Sequence, residues 1–469
     1  MTPRLLQQPS VTLSSDAGFP RLKAHLIEHT GLAYYSDKDE ALAERLAKRL
    51  DKLGLPDCGA YLDFLQDGAA GETESDALIA ELTIGETYFF RHREQLDALR
   101  LTVIPEIIRR NAASRRLRIW SAGCASGEEP YSLSILLKDE FKRELAGWEV
   151  SILGTDINRD FLARAREGKY GEWAFRTNSE EFKQGRFRPS GKSWILEPEY
   201  REGVTFQYHN LAKHPFPSLV QNIAAFDLIV CRNVMIYFSA EGFGMIIPRF
   251  HDCLVEEGWL LLGHSEVVTL SPSPFKAVPA NGIYLYRRGG ALLEDVPASA
   301  PVPVYEASAA PPASPSGWKP HEFPPEPPLR PPEAPSLPRP DLASARRLAD
   351  QGKWEQAALV CATLLRKDKL NAPAYFYHAL VLEQLGEMVQ AEEALRKALY
   401  LDRANLLAHY HLGLFLLRTG DEPGARRSFR NVLRLLEKQG SGDVLADADG
   451  LTAAGLLEMT NMELEVLKA

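Results

Sequence analysis

The segment W-S-A-G-C-A-S-G-E-E-P-Y-S, residues 120–132, places two glycines and two adjacent glutamates where a strand passes into a helix. Gly123 and Gly127 allow a ligand to approach the backbone, and the following helix N-terminus offers amide donors. The spacing G-x-x-x-G differs from the G-x-G-x-x-G of pyrophosphate-binding turns. Because Glu128 and Glu129 are acidic, the turn favours a ligand with a positive group and disfavours NAD, FAD and ATP.

Another acidic residue, Asp156, ends the next candidate strand, I-L-G-T-D-I-N, 29 residues after Gly127. An acidic side chain in this place commonly accepts hydrogen bonds from ribose hydroxyls in nucleoside-binding α/β folds. The alternative is an ordinary helix N-cap, which Asp also makes well. A glycine turn, an acidic ribose acceptor and no phosphate-binding residue together suggest S-adenosylmethionine, whose sulfonium and amino groups are cationic.

Other reactive side chains give weaker patterns. Cys231 lies beside Arg232 but is expected to be a buried strand residue. His264, in G-H-S-E, is expected to form a hydrogen bond in the core rather than to act in catalysis. No cluster of His, Asp or Glu has the spacing of metal ligands, so no metal is predicted.

Strands and helices alternate between about residue 100 and residue 288, as needed to position these side chains. Strand patterns occur at 117–121, 150–155, 226–231 and 259–263. Helical patterns lie between them at 129–144, 158–167 and 239–255. This alternation predicts a doubly wound, mainly parallel sheet of the α/β class. The stretch 170–205, rich in aromatic and turn residues, is predicted to be a small antiparallel insertion.

The first 80 residues show helical spacing without strand-like alternation. One apolar helix face is formed by Leu42, Leu46, Leu50 and Leu53. A basic stripe beside it consists of Arg45, Lys48, Arg49 and Lys52. The stripe is either a solvated helix face or a docking surface for an acidic partner.

The last 130 residues repeat with a period of 34. Leu348, Gly352 and Ala357 recur 34 and 68 residues later, with Gly at the turn between two helices. This pattern resembles the tetratricopeptide repeat, with about three repeats over 341–440 and a final capping helix within 441–469. Residues 291–340 contain 16 of the 32 prolines and predict an extended linker. The tail is therefore expected to be an independent module that binds a protein.

Composition excludes several classes of protein. A chain of 469 residues predicts two to four domains. Its 54 Lys and Arg against 63 Asp and Glu argue against general nucleic-acid binding. No apolar stretch has the length of a signal peptide or the ~20 residues of a membrane span. Five scattered cysteines without CxxC spacing predict a reducing, cytoplasmic location.

Six motifs in order carry a resemblance to one family. They are T-I-G-E-T-Y-F-F-R (83–91), residues 120–132, G-T-D-I-N, H-N-L (209–211), C-R-N-V-M-I-Y-F (231–238) and G-H-S-E (263–266). Together they resemble the CheR chemotaxis receptor methyltransferases over residues 15–288, and the added repeats resemble the longer members. The resemblance implies a helical domain (15–85), a Rossmann-like S-adenosylmethionine-dependent methyltransferase domain (86–288), the 170–205 insertion and a linker (289–340).

The resemblance also assigns residues. The cofactor contacts of the family match Thr87, Arg91, Glu129, Asp156, Asn210, Leu211, Arg232 and Asn233. Glu129 is expected to meet the amino group of the cofactor and Asp156 its ribose. Arg91 and Tyr237 match residues associated with the transfer step. Gly85 stands where other members carry Asn, so that side-chain contact is absent.

The implied activity is methyl transfer from S-adenosylmethionine to glutamate side chains on the cytoplasmic helices of a chemoreceptor, without membrane insertion. The repeats would bind a further protein. Two alternatives remain open at this point. One is a catalytically weak scaffold that senses the cofactor, and the other is transfer to a small carboxylic acid.

Overall fold

The computed structural model describes residues 13–268, 273–289, 341–440 and 442–467. Apart from residue 289, the predicted linker lies outside the described residues. No helix among these residues is both long and apolar enough to cross a membrane. All five cysteines are buried and free, including Cys231 as predicted.

Between residues 19 and 82 the N-terminal part has four α-helices: α1 (Phe19–Thr30), α2 (Asp39–Leu53), α3 (Cys58–Leu65) and α4 (Gly68–Leu82). The predicted apolar face of α2 packs inward, with Leu42, Leu46 and Leu50 all less than 5% exposed. Helix α2 ends at Gly54, whose φ of 68° is the left-handed conformation that favours glycine at a C-cap.

Arg49 corrects the predicted basic stripe, because it does not lie on the surface. Its guanidinium Nε donates to Glu74 Oε1 at 2.8 Å, and the two side chains are only 8% and 5% exposed. The hydroxyl of Tyr61 donates to the same carboxylate oxygen at 2.6 Å. Helix α4 supplies Glu74 and covers this part of α2, so Arg49 holds the helices together rather than facing a partner.

Two other residues of the basic stripe, Arg45 and Lys48, interact with Glu81. Arg45 is half-buried and donates to the backbone carbonyl of Glu81. Lys48 and Lys52 remain exposed, with Lys48 Nζ 4.0 Å from a carboxylate oxygen of Glu81. Only these two lysines still present a basic surface on α2.

A mixed sheet of seven strands forms the centre of the molecule, as the predicted fold class required. In chain order the ten strands are β1 (Arg116–Ala122), β2 (Glu149–Asp156), β3 (Lys169–Gly171), β4 (Phe187–Ser190), β5 (Ser193–Leu196), β6 (Val204–Tyr208), β7 (Phe226–Cys231), β8 (Leu254–Leu262), β9 (Phe275–Ala280) and β10 (Ile283–Arg288). The large sheet has the order β6-β2-β1-β7-β8-β10-β9, and its first five strands are parallel.

Helices cover both faces of this sheet. Those of the central part are α5 (Arg93–Ala98), α6 (Ile104–Arg110), α7 (Glu128–Glu140), α8 (Arg159–Glu167), α9 (Glu180–Lys183), α10 (Pro198–Arg201) and α11 (Ala240–Cys253). All six residues of β7 are buried, as expected for a parallel strand that is covered on both sides. Because β1, β2 and β7 are adjacent and parallel, their carboxyl ends meet at one edge.

The predicted insertion contains a separate three-stranded antiparallel sheet, of order β3-β5-β4. Its core is aromatic: Phe89 stacks on Phe175 with ring centroids 5.2 Å apart and meets Phe187 edge-on. Strand β6 follows at Val204 and returns the chain to the large sheet beside β2. The sequence patterns had not indicated β6, β9 or β10 as strands.

Seven helices form the tail: α12 (Leu342–Asp350), α13 (Trp354–Lys367), α14 (Ala372–Gln384), α15 (Met388–Leu401), α16 (Leu406–Arg418), α17 (Glu422–Leu436) and α18 (Ala453–Val466). The first six form three pairs, and the turns within the pairs contain Gly352, Gly386 and Gly420, all with φ between 73° and 84°. This positive φ explains why glycine recurs every 34 residues.

The tail does not stand apart from the central domain, which corrects the expected independent module. Leu219, Val220 and Ala224, just before β7, belong to the same buried apolar cluster as the repeat helices. Arg116 of β1 also donates to the backbone carbonyl of Glu383 on α14 at 3.1 Å. The sequence shows the repeats but not the surface on which they pack.

We predict that Arg49→Ala destabilises the protein by about 3–5 kcal/mol, because removal of one partner leaves the Glu74 charge buried without compensation. Urea denaturation followed by circular dichroism measures the change in the free energy of unfolding. Lys52→Ala, on the exposed side of the same helix, is the control and should change it by about 0.5 kcal/mol or less. Equal effects of the two substitutions would contradict a structural role for Arg49.

Candidate active site

A cavity of about 340 Å³ lies at the carboxyl edge of β1, β2 and β7, beneath the N-terminal helices. Ligands of open α/β sheets bind at this edge, and the volume falls in the range of small-molecule pockets. All nine residues that the sequence nominated for cofactor or catalysis line it: Thr87, Arg91, Glu129, Asp156, Asn210, Leu211, Arg232, Asn233 and Tyr237.

The glycine turn brings the end of β1 close to the cavity. Gly123 has a φ of 79°, and a Cβ there would lie 2.4 Å from Val234 Cγ2. The amides of Gly123 and Cys124 donate to the carbonyl of Thr155 at 2.7 and 2.9 Å, which fixes the turn against β2. Gly127, with a φ of 93°, then begins helix α7. Only glycine satisfies both the conformation and the close packing at residue 123.

Asp156 lies at the end of β2 with its carboxylate held by backbone amides. Oδ2 accepts from Ala125 N at 2.9 Å, and Oδ1 accepts from Asn158 N at 2.8 Å. Burial raises the pKa of Asp156 to about 6, although these hydrogen bonds act in the opposite direction. The N-cap of α8 is Asn158 and not Asp156, so the N-cap alternative for Asp156 is wrong.

Glu129 forms a buried ion pair with Arg232. Arg232 Nε donates to Glu129 Oε2 at 2.7 Å, and Ser121 Oγ donates to the other oxygen at 2.7 Å. The Arg232 guanidinium also donates to the backbone carbonyl of Arg91 at 2.6 Å and to Gln95 Oε1 at 3.2 Å. The pair thereby connects the start of α7, the end of β7 and the segment that carries Arg91.

Polar atoms on the cavity wall that are buried without a hydrogen-bond partner include the acceptor Oδ1 of Asn233 and the donor Nε of Arg91. A buried polar atom without a partner is costly, so these atoms suit a bound ligand that supplies the complementary groups. S-adenosylmethionine has an amino group and hydroxyls that can donate to Asn233 Oδ1 and to the acidic side chains of the wall, while the Arg91 donor suits a carboxylate. The residues present therefore fit this cofactor.

Tyr237 enters the cavity from the short turn after β7. The carboxylate of Glu266 holds this turn, because it accepts from the amides of Asn233 at 2.9 Å and Ile236 at 3.2 Å. It also accepts from Gly263 N at 2.7 Å. The ring of Tyr237 contacts Tyr34 of the N-terminal part edge-on, with centroids 5.7 Å apart.

Asn210 lines the cavity, and its side chain also joins two parts of the chain. Its side-chain Oδ1 accepts from Ala212 N at 2.9 Å, and its Nδ2 donates to the carbonyl of His29 on α1 at 3.0 Å. The side chain therefore secures the N-terminal part against the H-N-L segment. Leu211 beside it is 6% exposed and supplies apolar wall.

The departure at Gly85 has a steric explanation. A Cβ at Gly85 would lie only 2.3 Å from the ring of Phe161, which itself lines the cavity. The aromatic ring of Phe161, on α8, therefore occupies the space that a side chain at residue 85 would need. Sequence inspection of residues 83–91 alone could not show this contact, because Phe161 lies 76 residues later.

Several lining residues were not nominated from the sequence. Tyr34 and Tyr35 come from the N-terminal part, and His209 lies inside the quoted H-N-L motif. Both ring nitrogens of His209 are buried without a partner, and burial places its pKa well below the ordinary value. The motif itself was a signal for His209, whereas nothing in the spacing indicated the two tyrosines.

His264 is not a core residue as expected. Its side chain is 41% exposed, and Nε2 lies 2.7 Å from Glu94 Oε1. Together with His92, the ligating atoms of these side chains lie within 4.8 Å of one another, a grouping that the sequence spacing did not indicate. Burial and the charges of Arg232 and Arg91 lower the pKa of His92. The same positive charges oppose the binding of a cation there.

Comparison with known proteins agrees with this arrangement. Residues 17–83 match the model of the CheR methyltransferase all-alpha domain, and residues 85–283 match that of the CheR methyltransferase SAM binding domain. The chain is similar to chemotaxis protein methyltransferase 1 of Pseudomonas aeruginosa, with 33% identity over 279 residues, 58% of this chain and 98% of the relative.

Two further relatives frame the extent of the similarity. Chemotaxis protein methyltransferase Cher2 of Pseudomonas putida is 32% identical and covers 57% of this chain and 97% of its own length. The probable biofilm formation methyltransferase WspC of Pseudomonas aeruginosa is 28% identical over 433 residues, 90% of this chain and 99% of its own. The chain therefore belongs to the CheR family of chemotaxis methyltransferases, enzymes of chemosensory signalling that use S-adenosylmethionine as cosubstrate.

Proposed function

We propose that this methyltransferase converts glutamate side chains on the cytoplasmic helices of a chemoreceptor to methyl esters. The observation that carries the proposal is the position of Arg91, with a buried Nε that has no partner, in the same cavity as Asp156 and Glu129. The guanidinium donates to the backbone carbonyl of Glu86 through Nη1, and its unpaired Nε suits an incoming carboxylate. The name of the matched relatives supports a chemosensory substrate.

Three side chains would hold the cosubstrate. The Asp156 carboxylate is placed to accept hydrogen bonds from ribose hydroxyls, and Glu129 provides a negative charge for an amino group. Asn233 Oδ1 offers a further acceptor. When bound, S-adenosylmethionine supplies a methyl group that is activated by the adjacent positively charged sulfur.

A glutamate acceptor asks little acid–base chemistry of the enzyme. The carboxylate is already ionised near pH 7, so no general base is required to generate the nucleophile. We propose that Arg91 orients this carboxylate in a bidentate contact and that the Tyr237 hydroxyl donates a further hydrogen bond. The aromatic wall of Tyr34 and Tyr35 would exclude water, so alignment supplies most of the acceleration.

The two alternatives predict different surfaces. A scaffold that only senses the cofactor needs neither Arg91 nor Tyr237 in the cavity, yet both line it. A small carboxylic acid needs no docking surface, whereas Lys48 and Lys52 stay exposed on α2. These features favour a protein acceptor, with the two lysines as the docking surface for acidic receptor helices.

We also propose that the repeats bind a further protein of the pathway. The relative WspC, which matches 90% of this chain, carries a name that places it in biofilm formation. This similarity over the full domain order supports a chemosensory pathway of that kind rather than one defined by motility alone.

The Arg91 side chain is expected to act in the transfer step. Arg91→Ala should lower kcat by a factor of about 10²–10³, the usual effect of removing one oriented hydrogen-bond donor. The Kd for S-adenosylmethionine should rise less than tenfold. Isothermal titration calorimetry measures the Kd, and label transferred to receptor measures kcat. Arg93→Ala, an exposed neighbour outside the cavity, should change neither. An unchanged kcat in Arg91→Ala would contradict the proposed role.

The affinity for S-adenosylmethionine is expected to depend on pH. Because the pKa of Asp156 is about 6, its carboxylate is ionised at pH 7.5 and becomes protonated below pH 6. Protonation removes an acceptor for the ribose, so affinity should fall up to tenfold per pH unit between pH 6 and pH 5. Asp156→Asn should bind weakly at every pH with a flatter profile. A wild-type Kd that is constant from pH 7.5 to pH 5 would contradict the ribose contact.

Charge reversal at Lys48 and Lys52 tests whether they form a docking surface for the receptor. Lys48→Glu with Lys52→Glu should raise the KM for receptor about three- to tenfold, with a larger effect at low salt, and leave the Kd for the cosubstrate unchanged. The matched control is Lys142→Glu with Arg143→Glu, two exposed residues after α7 that give the same change in charge. Equal KM values for the two double variants would rule out a local docking surface.

A further inference from the structure

A short hairpin before β7 connects the central domain with the tail. Ser218 and Ile223 pair across it through two backbone hydrogen bonds of 2.8 and 2.9 Å. Asn222, with a φ of 60°, closes the turn. The tip residues Leu219, Val220 and Gln221 are 5%, 2% and 3% exposed, although a tight turn on the domain surface would otherwise expose them.

The repeats recognise the backbone of this tip. Asp350, at the end of α12, accepts from the amide of Leu219 at 2.9 Å. His411, on α16, is buried and lies with Nε2 3.0 Å from the carbonyl of Val220. These contacts come from the first helices of the first and third pairs. The hairpin tip therefore spans the surface formed by those helices.

Side chains of the hairpin complete the contact. Gln221 Nε2 donates to the backbone carbonyls of Asp449 at 3.0 Å and Ala448 at 3.4 Å. Ser218 Oγ donates to Asp449 Oδ2 at 2.7 Å. The apolar side chains at the tip enter the buried cluster of the tail. Main-chain hydrogen bonds combined with adjacent apolar pockets are how proteins commonly recognise short peptide segments.

We propose that the surface formed by Asp350, His411 and residues 448–449, here called the repeat groove, is a peptide-binding site that the hairpin 218–223 fills from within the same chain. The side chains of the hairpin indicate the chemistry of the partner. We expect a protein with a tight turn that presents two consecutive aliphatic side chains followed by a carboxamide. Such a partner binds by replacing the hairpin. The inference rests on the proposal that the repeats bind protein, and it does not depend on which carboxylate accepts the methyl group.

Displacement would be sensed at the cosubstrate site. Arg159 lies 3.8 Å over the ring of Tyr208 and pairs with Asp76 of α4 at 2.9 Å and with Glu458 of α18. Its neighbour Asn158 donates its amide to Asp156. A tail that leaves the hairpin takes Glu458 away from Arg159, so a partner at the repeat groove would change cosubstrate affinity.

The test uses the full chain and a head-to-tail cyclised, fluorescent peptide of residues 217–224, with binding measured by fluorescence anisotropy. Leu219→Ser with Val220→Ser weakens the internal ligand and should allow the peptide to bind. The wild type should bind it at least tenfold more weakly, because the tethered hairpin competes at a high effective concentration. Addition of His411→Ala to the double variant should abolish binding.

The matched control is Leu359→Ser with Leu370→Ser, which removes two exposed aliphatic side chains of the tail and should behave as the wild type. If the double hairpin variant loses its helical circular dichroism, Gln221→Ala takes its place and should bind the peptide more tightly than the wild type. Equal binding by the wild type and the hairpin variant, or no binding by a folded hairpin variant, overturns the inference. Neither result bears on receptor methylation, which is measured separately.

Discussion

The buried ion pair between Glu129 and Arg232 is the interaction on which the rest of the site depends. A buried carboxylate and guanidinium lose more solvation than they gain from each other unless their remaining hydrogen-bonding atoms are satisfied. Here Ser121 donates a hydrogen bond to the other carboxylate oxygen. The guanidinium donates to the backbone carbonyl of Arg91 and to the side-chain oxygen of Gln95. The pair thus fixes three chain segments that are distant in sequence at one point of the cavity.

A second buried carboxylate acts in a similar way. Glu266 accepts from two backbone amides of the turn that carries Tyr237, those of Asn233 and Ile236, so the turn keeps one conformation in which Asn233 has a positive φ. Burial raises the pKa of Glu266 above its ordinary value, although these hydrogen bonds act in the opposite direction. The groups proposed to act on substrate are consequently oriented before it binds, which is the arrangement that favours catalysis by alignment.

The sequence was sufficient for features that depend on local chemistry or on period. The glycine turn, the acidic end of β2 and the 34-residue repeat each follow from backbone conformation or strand position, and all appear in the structure. The sequence was insufficient where an element distant in the chain determines the surroundings of a residue. The sequence around Arg49 predicts a surface cation, because it does not show that Glu74 of α4 lies beside it. The sequence around Gly85 indicates only a lost contact, because it does not show that Phe161 of α8 packs against this residue. The docking of the tail could not be read either, because the hairpin 218–223 has no pattern that distinguishes it from an ordinary exposed turn.

The most direct test of the central claim is the transfer of radiolabelled methyl from S-adenosylmethionine to membranes that contain the chemoreceptors of the source cell. Label is measured as methanol released by mild base, since a glutamate methyl ester is labile under these conditions. Our account predicts base-labile label on a receptor-sized band with the wild-type chain and label formed about a hundredfold or more slowly with Arg91→Ala. Absence of label on receptors shown to be unmethylated, or label that resists base, would contradict it.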